Sequence, residues 1–201
     1  MTTQFIAIEG PKAVGKTTIA ERLADRLAAI GDIGVHLTGE PTRTPLGQVV
    51  RRQEGMLHGR ALALALAADR YAHVETEIIP QLDDGRHVVT ARYVPSSLVL
   101  QRIDGLDLDE IWEYNRYVLP ATVIYLEDDP ATIRGRRSQR ATLSRLEASG
   151  SPERELDLYR EAKAFLDEQE WKQHIIDCAG RTPEQVVGDI LGALISSVQS
   201  P

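Results

Sequence analysis

The chain of 201 residues has one cysteine, Cys178, only four lysines (Lys12, Lys16, Lys163 and Lys172) and a formal net charge of −7. A lone thiol closes no internal disulfide, which excludes a disulfide scaffold and suits the cytoplasm. No stretch approaches the ~18 consecutive apolar residues of a membrane span. Met1-Thr2-Thr3-Gln4 carries no positive charge ahead of its apolar run, so no secretory signal is expected. The negative balance argues against non-specific nucleic-acid binding. Repeats and Ser/Gly/Pro-rich linkers are also missing, so one domain is expected over residues 1–201. An apolar share of 42% and a charged share of 26% are those of a globular chain and exclude disorder. Arginine, by contrast, is plentiful: it supplies nineteen of the 23 cations. Its planar fork suits bidentate phosphate contacts, but a GC-rich genome gives the same excess, so position must decide.

Five short apolar runs read as strands: Phe5–Ile8, Val35–Thr38, His87–Thr90, Thr122–Leu126 and Ile175-Ile176. Between them lie helical patterns over Thr17–Ile30, Leu46–Arg52, Ala61–Leu82, Ser96–Arg102, Leu108–Val118, Pro130–Arg137 and Pro152–Gln169. Pro80 should disturb the last turn of the third. A final helix opens at Thr182-Pro183-Glu184-Gln185, a capping box with proline at the first position. Such alternation predicts an α/β fold: a five-stranded parallel sheet with helices on both faces, its ligands at the carboxyl ends of the strands. Ala61–Ala68 is apolar all round the helix and should be buried on several sides, in the core or against a second copy.

Gly10-Pro11-Lys12-Ala13-Val14-Gly15-Lys16-Thr17 fits G-x-x-x-x-G-K-[ST] between a strand and a helix. The glycines permit the tight path that turns several N–H groups around a phosphate. Lys16 reaches the β/γ oxygens, the Thr17 hydroxyl holds Mg²⁺, and the helix that follows adds its positive end. Gly10, Val14, Gly15, Lys16, Thr17 and Thr18 are thus assigned to a nucleoside triphosphate, and Thr17 with Glu9 to the metal.

Over most of its length the chain resembles the thymidylate kinase family of P-loop nucleoside monophosphate kinases. The resemblance runs through Phe5–Gly10, Glu40-Pro41, Thr44-Pro45-Leu46-Gly47 with Arg51, Asp69-Arg70, Arg92-Tyr93, Ser96-Ser97, Asp129-Pro130 with Arg136, and Arg145-Leu146-Glu147. It implies a P-loop NTPase fold with a short arginine-rich lid (residues 138–151), and transfer of the ATP γ-phosphoryl group to a nucleoside monophosphate. Arg70 and Arg92 then match arginines that grip the acceptor's 5′-phosphate, with Glu40, Arg51 and Ser97 on the acceptor side. Arg136 matches a donor-side arginine near adenine, and Arg145 a lid arginine closing over ATP. Lys16, Lys12, Arg92 and Arg145 form the expected catalytic set. The family's corresponding helix joins a homodimer, which is expected here too.

Several positions depart from the family pattern. Ala91 stands where an aspartate usually precedes the Arg-Tyr pair, Lys12 where Asp or Glu is frequent, and Ser144 in place of a lid aspartate. Leu66 replaces the aromatic residue that stacks on thymine, and Leu100 a tyrosine near the deoxyribose. Lys12 would direct a cation at the phosphoryl in transfer, or be only an exposed loop cation. A phosphate acceptor, with its second pKa near ~6, is already a nucleophile, whereas a hydroxyl needs a base that Ala91 cannot supply. A phosphate monoester is therefore the favoured acceptor, with a group that is not, or not only, thymine. Two alternatives stay open: a kinase of a nucleoside or other small hydroxyl metabolite, and a non-catalytic nucleotide-binding protein. The five histidines, Cys178, the acidic run Asp104–Glu110 and Arg134, Arg137 and Arg140 carry no assigned role and read as packing or solvated positions.

Overall fold

The computed structural model describes residues 3–139, 145 and 149–198. Strands β1 (Phe5–Glu9), β2 (Val35–Gly39), β3 (His87–Ala91), β4 (Thr122–Glu127) and β5 (Gln173–Asp177) form one parallel sheet in the order β2-β3-β1-β4-β5. Ile8 pairs with Ala91, Gly39 with Ala91 and Glu9 with Tyr125, so the carboxyl ends of the first four strands meet at one edge.

The period of two explains the unbroken apolar strands. On β1, Phe5 and Ala7 enter a core shared with Val88, Val123, Tyr125 and the helices α5 (Val94–Ile103) and α8 (Pro152–Glu168). Ile6 and Ile8 point the other way, into a core with Val89, Ile124 and Leu126 beneath α1 (Lys16–Ile30) and α9 (Pro183–Val198). Both faces of the sheet are covered, so every position on β1 is buried.

The connecting helices are α2 (Pro45–Gln53), α3 (Gly59–His73), α4 (Ile79–Asp83), α6 (Leu108–Glu113) and α7 (Pro130–Ser138). The pattern over Ala61–Leu82 is not one regular helix. Between α3 and α4 the chain widens into a π turn over Val74–Ile78, with Ile79 N–H donating to the Val74 carbonyl. Pro80 follows directly: its ring crowds the preceding turn and it has no N–H to donate, and the wider turn relieves both.

Helix α6 ends at Glu113, short of the expected Val118. The Asn115 side chain donates to the Ile111 carbonyl at 2.7 Å, taking the acceptor that the next helical N–H would use. The capping box forms as expected, with Thr182 N donating to Gln185 Oε1 at 2.9 Å and Gln185 N to Thr182 Oγ1 at 3.3 Å.

Helix α3 is not buried on all sides either. Leu62, Ala63 and Ala67 are inside, while Ala61, Leu64 and Ala68 share an exposed face. The expected lid lies mostly outside the described residues, including Arg140, Ser144, Leu146 and Glu147.

Candidate active site

The loop from Gly10 to Gly15 leaves β1 and turns into α1 through three left-handed residues, Gly10 (φ 135°), Ala13 (φ 70°) and Gly15 (φ 113°). A side chain at Gly10 would collide with the Leu126 carbonyl, so glycine is required there by space as well as by dihedral. Gly15 precedes α1 with no side-chain cap, which leaves the first N–H groups of that helix for an anion. Lys16 Nζ folds back on the loop, donating to the Gly10 and Pro11 carbonyls at 2.5 and 2.9 Å. Thr17 and Thr18 are exposed beside it, on the wall of a cavity of about 600 Å³.

Glu9 was expected at the metal with Thr17. Its carboxylate instead lies fully buried beneath the loop and accepts four hydrogen bonds. Tyr93 N and Ser96 N donate to Oε1 at 2.6 and 3.1 Å, and Ser96 Oγ and Tyr159 Oη to Oε2 at 2.7 and 3.3 Å. Burial raises its pKa, and Ser96, Lys16 and Arg92 counter that. Glu9 thus satisfies the N-terminus of α5 and anchors the Arg92 turn to the loop.

Arg92 follows β3 at φ 76°, a conformation unfavourable for a side-chain-bearing residue. It is held there by its N–H on the Ile8 carbonyl at 3.0 Å and by Thr90 Oγ1 donating to its own carbonyl at 3.0 Å. Its side chain lines both the cavity beside Thr17 and a second cavity of about 360 Å³, as do Glu40 and Arg51. Lys12 lies on the wall of the second cavity only, 7% exposed. Burial and then the nearby Arg92 guanidinium push its amine down to about 7, against Glu54 and Glu155. Lys16 is depressed by the same two causes. Arg92 thus depresses both lysines at the junction of the cavities, and an anion there would relieve them.

The second cavity has an apolar wall of Val50, Leu62, Leu66 and Leu100 and a polar side of Arg70, Ser96, Ser97 and Gln101. Arg70 lines it at 2% exposure, yet most of its donors are in use. Its Nε donates to Glu40 Oε2 at 2.8 Å, its Nη1 to Asn115 Oδ1, and its Nη2 to Ser97 Oγ at 3.0 Å and the Tyr93 carbonyl at 3.2 Å. This is a fixed cation in the cavity floor, short of the spare donors that a phosphate clamp on Arg70 requires. Asp69 does not pair with Arg70; it accepts from Thr42 N and Oγ1 at 2.7 and 2.6 Å. Arg51 is exposed and donates to the Pro41 carbonyl.

On the far side of the loop, Arg136 donates to Asp128 Oδ2 at 2.8 Å and, with Val14, Gly15 and Thr18, lines a further cleft of about 390 Å³. Arg145, expected over the donor, forks instead onto Asp104 at 2.5 and 3.0 Å, at the far end of α5. Ala91 forms part of the wall beside Thr17, where a carboxylate was expected to be missing.

Two residues of the site escaped the sequence. Both side-chain polar atoms of Gln101, 1% exposed on the cavity wall, have no hydrogen-bond partner among the described residues. Its one signal was its place a helical turn beyond Ser97. Glu155, buried on α8, accepts from Lys12 N at 2.8 Å and Arg137 Nη1 at 3.3 Å and so steadies the loop. Nothing in the pattern of α8 marked it.

The sheet order and the glycine loop define a P-loop nucleotide-binding fold with a second, cation-rimmed pocket across from the loop. The thymidylate kinase family model matches residues 8–190. A probable thymidylate kinase from Thermococcus kodakarensis is 39% identical over 137 residues, 63% of this chain and 66% of that protein. A thymidylate kinase from Thermomicrobium roseum is 35% identical over 212 residues, 96% of this chain and 95% of that protein. The solved thymidylate kinase of Ehrlichia chaffeensis superposes with a TM-score of 0.73 at 22% identity, covering 96% of this chain and all of that one. The chain belongs to the thymidylate kinase family, and is an enzyme of the phosphotransferase class.

Proposed function

We propose that this protein transfers the γ-phosphoryl group of ATP to a nucleoside 5′-monophosphate, with dTMP as the first acceptor to test. An oxygen of the acceptor phosphate bonds to the γ-phosphorus as the bond to the β-phosphate oxygen breaks, giving ADP and a nucleoside diphosphate. No base is needed, because the attacking phosphate is mostly a dianion at neutral pH. The protein's task is to bring two anions together, and Lys12, Lys16 and Arg92 crowd the place where they would meet.

Gly10, Val14, Gly15, Lys16 and Thr18 would hold the triphosphate, and Arg136 would border the adenine. Thr17 offers an exposed hydroxyl to a Mg²⁺ that arrives on the nucleotide. That ion supplies charge neutralisation at the phosphates. Among the described residues no three acidic, histidine or cysteine side chains cluster as a metal site. Arg92, with Arg51 at the cavity rim, is the better placed for the acceptor phosphate. Lys12 would steady the phosphoryl in transfer.

The observation that carries the acceptor's identity is Gln101. A buried carboxamide with both atoms unpartnered costs stability unless a ligand completes it. Its oxygen can accept an imide N–H and its nitrogen can donate to a ring carbonyl, the pair of groups on one edge of a pyrimidine such as thymine. Leu66 and Leu100, on the apolar wall, would pack against that ring without aromatic stacking. Gln101→Leu should raise the KM for dTMP about tenfold, with the ATP KM unchanged and the unliganded protein more stable. An unchanged dTMP KM would remove the base from this pocket.

The exposed face of Ala61, Leu64 and Ala68 on α3 supports a homodimer. The buried free thiol of Cys178 supports a cytoplasmic setting.

A further inference from the structure

The sequence leaves His73 as a packing or solvated residue, and its side chain is fully buried on α3. It is far from inert. Its Nδ1 lies 3.2 Å from Glu40 Oε1, and its Nε2 lies 2.9 Å from Thr38 Oγ1 and 3.7 Å from Glu77 Oε2. Glu77 in turn meets His36 Nε2 at 2.8 Å near the surface. The other oxygen of Glu40 receives Arg70 Nε. Arg70 and His73 stand three residues apart on one face of α3, so a single carboxylate bridges both. That carboxylate, bonded to a guanidinium, can only accept, which makes His73 Nδ1 the donor.

Glu40 belongs to the loop after β2, not to a helix or strand, and its side chain has three rotatable bonds. Arg70 is already held by Asn115, Ser97 and the Tyr93 carbonyl, so with the Arg70 contact alone the Glu40 side chain would be free to turn away and leave Nε without an acceptor. The second bond, from a ring anchored to Thr38 on β2, removes that freedom. We propose that His73 is a positioning residue of the acceptor pocket: by pinning Glu40 it keeps the Arg70 Nε–H paired and so completes the set of acceptors that holds the guanidinium at the cavity floor. The inference rests on the acceptor reading given above. It assigns His73 no contact with substrate.

The test compares three substitutions. Asn at position 73 can place a donor where Nδ1 stands, Gln reaches only to the Nε2 position, and Leu offers neither. His73→Leu should raise the dTMP KM about tenfold, with kcat within about threefold and the ATP KM unchanged. His73→Asn should return the KM to within about threefold of the wild type, and His73→Gln should not. The Arg70 Nε–H resonance, assigned by its loss in Arg70→Lys, should be sharp and slowly exchanging in the wild type and in His73→Asn, and broadened in the other two. That signal needs no acceptor. If the wild type fails to phosphorylate dTMP, the acceptor reading falls while the resonance still decides the role of His73. Equal KM values and equal Nε–H protection in His73→Asn and His73→Gln would overturn the proposal, even if His73→Leu does not fold.

Discussion

Lys12 shows how one side chain couples the loop to the second pocket. An ammonium in water holds its proton to about pH 10.4, whereas burial and Arg92 bring this one to about 7. Between those values the unfolded chain binds more protons than the folded one, so this residue makes stability rise with pH. Lys12→Met removes the effect. Its melting temperature should exceed that of the wild type most clearly at pH 7 and below, and the gap should shrink as the pH is raised from 7 towards 10. A gap independent of pH would show that Lys12 is not held in this strained state. The adjacent Lys16 experiences the same burial and the same neighbour, but it spends donors on the Gly10 and Pro11 carbonyls.

At the scale of elements, the loop between β1 and α1 was the most legible part of the chain. Its glycines take positive φ and its lysine folds back on the loop carbonyls, and geometry of that kind leaves a fixed spacing in the sequence. Gly10→Ala should therefore lose ATP binding by calorimetry and cost about 2 kcal/mol or more of stability, since it meets both an unfavourable dihedral and the Leu126 carbonyl. An alanine variant that binds ATP normally would contradict the path described for the loop. The strands were legible too: β1, β3 and β4, covered on both faces, need largely apolar runs, whereas the edge strands β2 and β5 are only partly buried. What was not legible depended on side chains meeting across distant elements. Arg70 looked like a phosphate clamp until Glu40, Asn115 and Ser97 were found to occupy it. Glu9 looked like a metal ligand, but it caps α5 from β1. Arg145 was placed over the donor and meets Asp104 instead. Helix α6 stopped early because a single asparagine captured a backbone carbonyl. Local pattern carries none of these pairings.

For the whole molecule, two surfaces matter: the cleft along the carboxyl edge of the sheet and the apolar face of α3. Leu64 is 50% exposed on that face, between the exposed Ala61 and Ala68. Leu64→Glu should shift the protein from dimer to monomer in sedimentation velocity, with the helical signal in circular dichroism retained. A wild type that already sediments as a monomer would leave the face unpartnered and remove the homodimer. The cleft is the centre of the account. Its cavities of about 600 and 360 Å³ share Arg92, with Lys16 on the first and Lys12 on the second. Such an arrangement favours an acceptor that brings its own negative charge and needs no base.

The most direct test is phosphorus NMR of the protein with ATP and Mg²⁺, once with dTMP and once with thymidine. The account predicts ADP and dTDP appearing together with dTMP, and no phosphorylated product from thymidine. Conversion of thymidine in preference to dTMP, or no acceptor-dependent ADP with either, would contradict it.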